Sequence, residues 1–508
     1  GIALKRKGYA IRVLTHPSPT HTKMCADFGL EHVSLGTDAD AFMRDDKDAR
    51  TAMETGDTIK FFGCLADLIK NNTESTCKPF YNEVVADGVN RPDLLIVSFL
   101  NRFFGIYARH VLKIPTIEIM LQHWVFDDPS RAPMGMPTLP LGLHKLIHTK
   151  LMIPQDYKNF KRFDDCIGDI LASEVTVSDS MPMPLPRLED FLPYDQWYES
   201  EVNHSPLLPL LIAQPPMFKE ILCPTLPAIP SSPNLLRYVG PAIIETMDQT
   251  DGNASSFGSY AAKKKLEVFL ASDTERKPIY MGWGSMIRRS THGMVIYAVE
   301  VLQKSQQRGI VLGGLAGLGM ELLEEALELS TIDTKERQQI LEYAVENIVF
   351  VDKAPHEWLF PRVSLTVQHG GAGTLNAALR AGVPTIVTPV FGDQYDNSFV
   401  VQKIGVGFGF ADKLQSISAS DLSKTITDVL NDPNVADRAK QVGAQLRGGS
   451  NGNDGGCGAI VKEIETYWRE NVVSGNLLAD IRNWKTTTKE RKNINNEKQT
   501  LRTLVALA

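Results

Sequence analysis

The sequence predicts an α/β protein built as two doubly wound, parallel-sheet domains. Three observations carry this. Short β-rich apolar runs alternate with helix-length segments through both halves of the 508 residues, the pattern of parallel strands crossed by helices. Between the halves, 245–260 (ETMDQTDGNASSFGSY) is poor in large apolar residues and rich in Gly, Ser, Asn and Asp, as linkers are. Residues 364–389 read strand, glycine turn, helix, strand. The expected division is an N-terminal domain over 1–244, a linker over 245–260, a C-terminal domain over 261–470, and a helix with a polar tail over 471–508.

Composition supports this frame. A chain of 508 residues is too long for one core. With 43% hydrophobic and 22% charged residues it has ordinary globular composition. A net charge of -7 makes no electrostatic case for nucleic acid or an anionic membrane as main partner. The 6 cysteines form no CxxC pair, which speaks against structural zinc or a disulfide framework and for a reducing, cytoplasmic compartment. No run of 18 apolar residues occurs, so no membrane span is expected. Peripheral membrane contact stays open.

Taken in order, 1–16 reads as the second half of a helix followed by a strand over 11–15, so a first strand and turn are expected upstream. A short strand follows at 31–35, then mostly helical periodicity over 41–86 with a break near 70–75. Residues 92–98 (PDLLIVS) read as a buried strand, 102–112 as a helix and 115–121 as a strand. Ligands in such sheets sit beyond the carboxyl ends of the strands. That rule marks the loop 122–131 (QHWVFDDPSR), where His123, Trp124 and Asp127 are candidate acceptor-binding residues. The Met- and Pro-rich stretch 133–140 suits an adaptable apolar surface. Helices to about 172, a Pro-rich loop at 182–193 and a strand at 235–240 complete the half.

The second half alternates again. A helix over 261–272 precedes a strand over 277–283, then Gly284-Ser285-Met286. Helix 291–304, strand 309–312, helices 320–329 and 334–346 and strand 347–351 follow. In the unit 364–389, His369 precedes Gly370, Gly371 and Gly373, and the helix opens near Thr374. A glycine turn of this kind lets a phosphate approach the N–H groups of a helix N-terminus, where the dipole favours negative charge. His369 can add a donor. The turn Phe391-Gly392-Asp393-Gln394 carries groups suited to sugar hydroxyls. One unit would offer a diphosphate site and a sugar site side by side. Helices over 393–403 and 420–467 close the half, and the tail after 483 is polar.

YMGWGSM at 280–286, DKAPHEWLF at 352–360 and VQHGGAGT through FGDQYDN at 367–397 occur in this order. Together they resemble glycosyltransferase family 1, in the flavour of the sterol 3β-glucosyltransferases. The resemblance implies the GT-B architecture of two facing Rossmann-like domains. It implies inverting, metal-independent transfer of a hexose, glucose first, from a UDP-sugar to a hydroxylated lipid or sterol-like acceptor. UDP-sugar is then a substrate, and no cofactor is expected. The Asp-x-Asp at Asp38-Ala39-Asp40 lies far in sequence from the donor motifs.

By the same resemblance, Ala354 and His356 meet uracil and Ser285 the diphosphate. His369, Gly371, Gly373 and Thr374 hold the β-phosphate, and Asp393 and Gln394 bind hexose hydroxyls. Departures are Gln368 where relatives carry a first His, and Lys353 where plant members stack a Trp. The base of sterol-type members would precede Gly1, and Ser98-Phe99 replaces the plant partner Asp. The chain is therefore expected to bind UDP and to turn over poorly. A non-catalytic UDP-sugar-binding relative and another GT-B enzyme, such as a nucleotide-sugar epimerase, are the alternatives.

Overall fold

The computed structural model describes residues 1–36, 38–86, 91–122, 146, 150, 153–175, 187, 188, 208–222, 236–250, 258–284, 286, 290–448 and 456–479. Within the first half, β1 (Arg12–Thr15) pairs in parallel with β2 (Glu31–Ser34). A second parallel sheet has the order β3 (Leu95–Val97), β4 (Thr116–Met120), β5 (Leu210–Ile212), β6 (Leu236–Tyr238). β3 is an edge strand of that sheet, so Ile96 of the apolar run is 37% exposed rather than buried.

The helical stretch after β2 breaks earlier than its periodicity suggests. Asp46 accepts the Ala49 N–H at 2.8 Å and starts α1 (Lys47–Thr55). Gly56, at φ 64°, ends it, and Asp57 caps α2 (Thr58–Asn71) through the Lys60 N–H at 3.0 Å. Asp side chains at N-caps and a left-handed glycine terminate helices more sharply than the apolar pattern alone reveals.

The second half has one six-stranded parallel sheet: β7 (Ile279–Gly282), β8 (Gly309–Leu312), β9 (Ile348–Val351), β10 (Leu365–Gln368), β11 (Thr385–Val387) and β12 (Gly407–Gly409). Its spatial order is β12-β11-β10-β7-β8-β9. The chain leaves β7 toward β8 on one side and returns to β10 on the other. The strand order therefore reverses between β7 and β10, where Gln368 lies opposite Gly282. A crevice opens beyond the carboxyl ends of strands at such a reversal. Around it stand α3 (Tyr260–Ala271), α4 (His356–Leu359), α5 (Ala372–Ala381) and α6 (Gln394–Ile404).

Packing crosses the sequence halves twice. Ala49, Ala52, Met53 and Phe61 of α1 and α2 share one buried cluster with Leu414, Ile417 and the strands β7 and β10. In return α7 (Gly456–Tyr467), grouped by its sequence position with the C-terminal domain, lays Ile460, Val461 and Ile464 on Ile117, Leu211 and Val239 of the first sheet. Lys7 pairs with Glu465 at 2.9 Å on the same side. Gly456 is demanded by this crossing, since a Cβ there would lie 2.0 Å from the Pro241 carbonyl oxygen. The apolar face of α7 is thus covered by the first sheet. Among the described residues no helix is long and apolar enough to cross a membrane.

One charge pair sits inside the first sheet. Arg102 Nε donates to both carboxylate oxygens of Glu118 at 3.1 and 3.0 Å, with 8% and 1% of the two side chains exposed. Removing one partner of such a pair leaves an uncompensated buried charge. Glu118→Ala should lower the unfolding free energy by about 3–5 kcal/mol, read as an earlier urea midpoint at unchanged slope.

Candidate functional site

The site is built where β7 and β10 end. All four residues of β10 are buried, and the chain leaves them through His369 into Gly370, which holds φ at 91°. A Cβ on Gly370 would stand 2.6 Å from Val387 Cγ1, so both conformation and space require glycine. Gly371 is the N-cap of α5 and offers no side chain to its N–H groups; the first turn holds no acidic residue. The opening N–H groups of a helix lack intrahelical partners. Here they face the crevice with the positive end of the dipole behind them. Thr374 is the third residue of α5, not its cap. Gly373 is exposed, and a Cβ there would meet no atom within 4 Å.

Three glycine turns converge on this point. Gly284, after β7, has φ 61° and sits 3.4 Å in Cβ position from the His369 ring. Gly314, after β8, presses its own Cβ position to 2.5 Å from the Gly284 carbonyl oxygen. A side chain at Gly370 or Gly314 would force these neighbours to shift.

Two histidines line it. Burial holds His369 down to about 4, against the opposing effect of its hydrogen bond to the Gly282 carbonyl. Among the described residues its Nδ1 has no hydrogen-bond partner. Burial, with the neighbouring His369 adding to it, also holds His356 down to about 4. His356 stacks on Phe360 at 4.6 Å between ring centroids, and its Nε2 lies 3.0 Å from the Tyr280 hydroxyl. Burial pushes that phenol up, so Tyr280 keeps its proton, and its hydroxyl shares one hydrogen bond with the neutral ring. Ala354, buried, ends the approach to α4.

The turn after β11 completes the rim. Asp393 takes the cap position of α6 but makes no cap hydrogen bond. Its carboxyl is pushed up to about 6, first by burial and then by the charge of Asp396. Gln394 differs from its neighbour. Its Oε1 accepts the N–H groups of Val390 at 2.7 Å and Phe391 at 3.2 Å, so the side chain braces the turn from inside.

Asn397, which the motif reading passed over although it closes FGDQYDN, joins the two turns. Its Nδ2 donates to the Gly370 carbonyl at 2.7 Å and lies 3.4 Å from Asp393 Oδ2. Gln368 faces away into the sheet, with Nε2 3.1 Å from Thr385 Oγ1. Trp283 is a packing residue, its Nε1 donating to Thr388 Oγ1 at 2.9 Å.

Behind the rim, Arg380 at the far end of α5 bonds Glu357 at 3.0 Å and Glu245 at 2.8 Å. Burial pushes the Glu357 carboxyl up to about 7 despite Arg380. In the first half, His16 follows β1, with Nδ1 3.7 Å from Asp38 Oδ1 and its ring edge-on to His21 at 4.4 Å. Of the expected site residues, the structure brings together His369, Gly371, Gly373, Thr374, Asp393 and Gln394, with His356 and Ala354 beside them. Ser285, His123, Trp124 and Asp127 lie outside the described residues.

Comparison with known proteins accords with this geometry. Residues 321–448 match the family model described as "Erythromycin biosynthesis protein CIII-like, C-terminal domain". The sterol 3-beta-glucosyltransferase of Komagataella phaffii is 30% identical over 41% of this chain and 16% of its own length. That of Candida albicans is 28% identical over 44% of this chain and 13% of its own. That of Yarrowia lipolytica is 23% identical over 92% of this chain and 28% of its own. The chain thus spans less than a third of each of these relatives. The crystal structure of CalG4, the calicheamicin glycosyltransferase, superposes with a TM-score of 0.54 at 15% identity, over 93% of this chain and 94% of that one. The fold is therefore GT-B, as expected from the motifs.

Two outcomes follow for the crevice. Gly373→Ala should leave stability unchanged or raise it by up to about 1 kcal/mol, because the added methyl meets open space. It should weaken binding of inorganic diphosphate at this helix N-terminus by about tenfold or more, because that methyl occupies the approach to it; calorimetric titration checks it. For His356 the folded value of about 4 is below the unfolded value near 6.5. Its neutral form is thus favoured by the fold, and that contribution is lost as pH falls through this window. The stability advantage of the wild type over His356→Gln should shrink by about 2 kcal/mol between pH 7 and pH 4, measured by urea unfolding at each pH.

Proposed function

We propose that the chain is a glycosyltransferase of family 1, akin to the sterol 3-beta-glucosyltransferases it resembles, and that it transfers a hexose from a UDP-sugar to a hydroxyl of a lipid or sterol-like acceptor. Glucose is the first candidate hexose. The observation that carries this is the bare N-terminus of α5 beside His369, tied through Asn397 to the Asp393 turn. A diphosphate and a hexose would each meet suitable chemistry a few ångströms apart.

In this reading the acceptor oxygen attacks the anomeric carbon from the face opposite UDP. The bond from that carbon to the β-phosphate oxygen breaks, and its electron pair leaves with UDP. The hydroxyl proton passes to a general base. The α5 N–H groups, the Thr374 hydroxyl and Ser285 meet the leaving charge. His369 joins them, its unpartnered Nδ1 becoming a donor when the diphosphate draws a proton onto the ring. No divalent cation has a part in this scheme.

Ala354 and the His356 region receive the uracil. Asp393, uncommitted to its cap, takes hexose hydroxyls, while Gln394 fixes the turn and offers only its amide N–H. His123, Trp124 and Asp127 are the acceptor wall of the proposal.

The test is a panel of UDP-sugars with sterols and other hydroxylated lipids, followed by mass spectrometry with and without EDTA. The expected result is slow formation of a β-linked glycoside, equal with and without EDTA, with His369→Ala slower still by roughly a hundredfold or more. UDP binding without any turnover would select the non-catalytic relative instead. No UDP binding at all would overturn both readings.

A further inference from the structure

The sugar-facing turn is gripped by the first half of the chain. α1 ends at Gly56, and two of its last carbonyls are met from the second half. Gln415 Nε2 donates to the Met53 carbonyl at 2.8 Å and Lys413 Nζ to the Thr55 carbonyl at 2.8 Å. The lysine cation also meets the negative end of the helix dipole. The fit is close, since a Cβ at Gly56 would stand 3.0 Å from Lys413 Cδ.

The segment making these bonds is anchored to the turn itself. Leu414 N–H donates to the Pro389 carbonyl at 2.7 Å, two residues before Phe391. A second grip comes from α2. Phe61 is 6% exposed, and its ring centroid lies 4.7 Å from that of Phe391 at an interplanar angle of 34°. Phe391 is separated from Asp393 only by Gly392, and its N–H is held by Gln394 Oε1. A glycine between them means that no side chain but that of Phe391 braces this side of the turn.

We infer that Phe61 is a positioning residue for the hexose end of the donor, so that recognition of the hexose is a joint property of both halves while recognition of UDP belongs to the second half. This rests on the donor-site reading above. Among the described residues no hydrogen bond or ring contact joins the α5 N-terminus or His369 to α1 or α2. The Asp393 turn is braced by both α1 and α2.

The experiment measures affinity for UDP and for UDP-glucose on the full chain carrying Phe61→Ala, Phe61→Leu or Lys413→Ala. Phe61→Ala should weaken UDP-glucose by roughly three- to tenfold, the worth of one aromatic pair, and UDP by less than about twofold. Phe61→Leu, which refills the volume, should recover most of the loss. Lys413→Ala, at a less buried position, should shift the ratio in the same direction even if Phe61→Ala fails to fold. An unchanged ratio in folded Phe61→Ala or in Lys413→Ala overturns the inference, as does a proportional loss of both ligands. Wild-type protein that binds neither ligand overturns the donor-site reading instead, and the inference with it.

Discussion

One side-chain hydrogen bond holds the two turns in register. The Asn397 side chain donates to the carbonyl of Gly370 at 2.7 Å. Gly370 sits in a backbone conformation that only glycine adopts comfortably, at φ 91°. Its carbonyl direction is therefore set by the turn, and α6 is oriented by catching it. The helix that carries Asp393 is positioned relative to the helix that opens at Gly371. If the reversal of strand order creates the crevice, this bond sets the spacing of the groups along its rim.

The electrostatics of the crevice are those of a site waiting for negative charge. It holds an uncapped helix N-terminus and two imidazoles kept neutral by burial. A carboxyl on the opposite turn is pushed up by the same burial. Neutral groups around a positive dipole give an incoming anion little to displace and much to polarise. Burial shifts His356, His369 and Asp393 away from their ordinary pKa values, the kind of perturbation that gathers at functional sites.

Much of this was legible in the residues. Both halves betrayed their parallel sheets through alternation, and the unit around His369 carries its turn and helix openly. The limits have physical causes. Asp393 and Gln394 are adjacent and both polar, but the chain direction at the turn points one outward and folds the other under. Nothing in the pair of letters reveals which. Asn397 acts on a carbonyl 27 residues away, a contact without a local pattern. The breaks at Asp46 and at Gly56-Asp57 were written as caps, yet the apolar periodicity ran across them. The apolar faces of α1, α2 and α7 announce burial but not a partner, and the structure sends each to the opposite half.

Those exchanges bear on how the polypeptide is made. A ribosome delivers the first sheet long before α7, which follows β6 by more than two hundred residues. Until then the faces of Ile117, Leu211 and Val239 that α7 covers have no lid. Likewise α1 and α2 emerge early with an apolar side whose resting place on β7 and β10 has not yet been synthesised. Domains generally fold as units in the order of synthesis, and pairings distant in sequence close late. For this chain neither half can complete its surface before the other exists. The nascent molecule therefore carries uncovered hydrophobic area through most of translation, a period in which protection by chaperones would matter more than final stability.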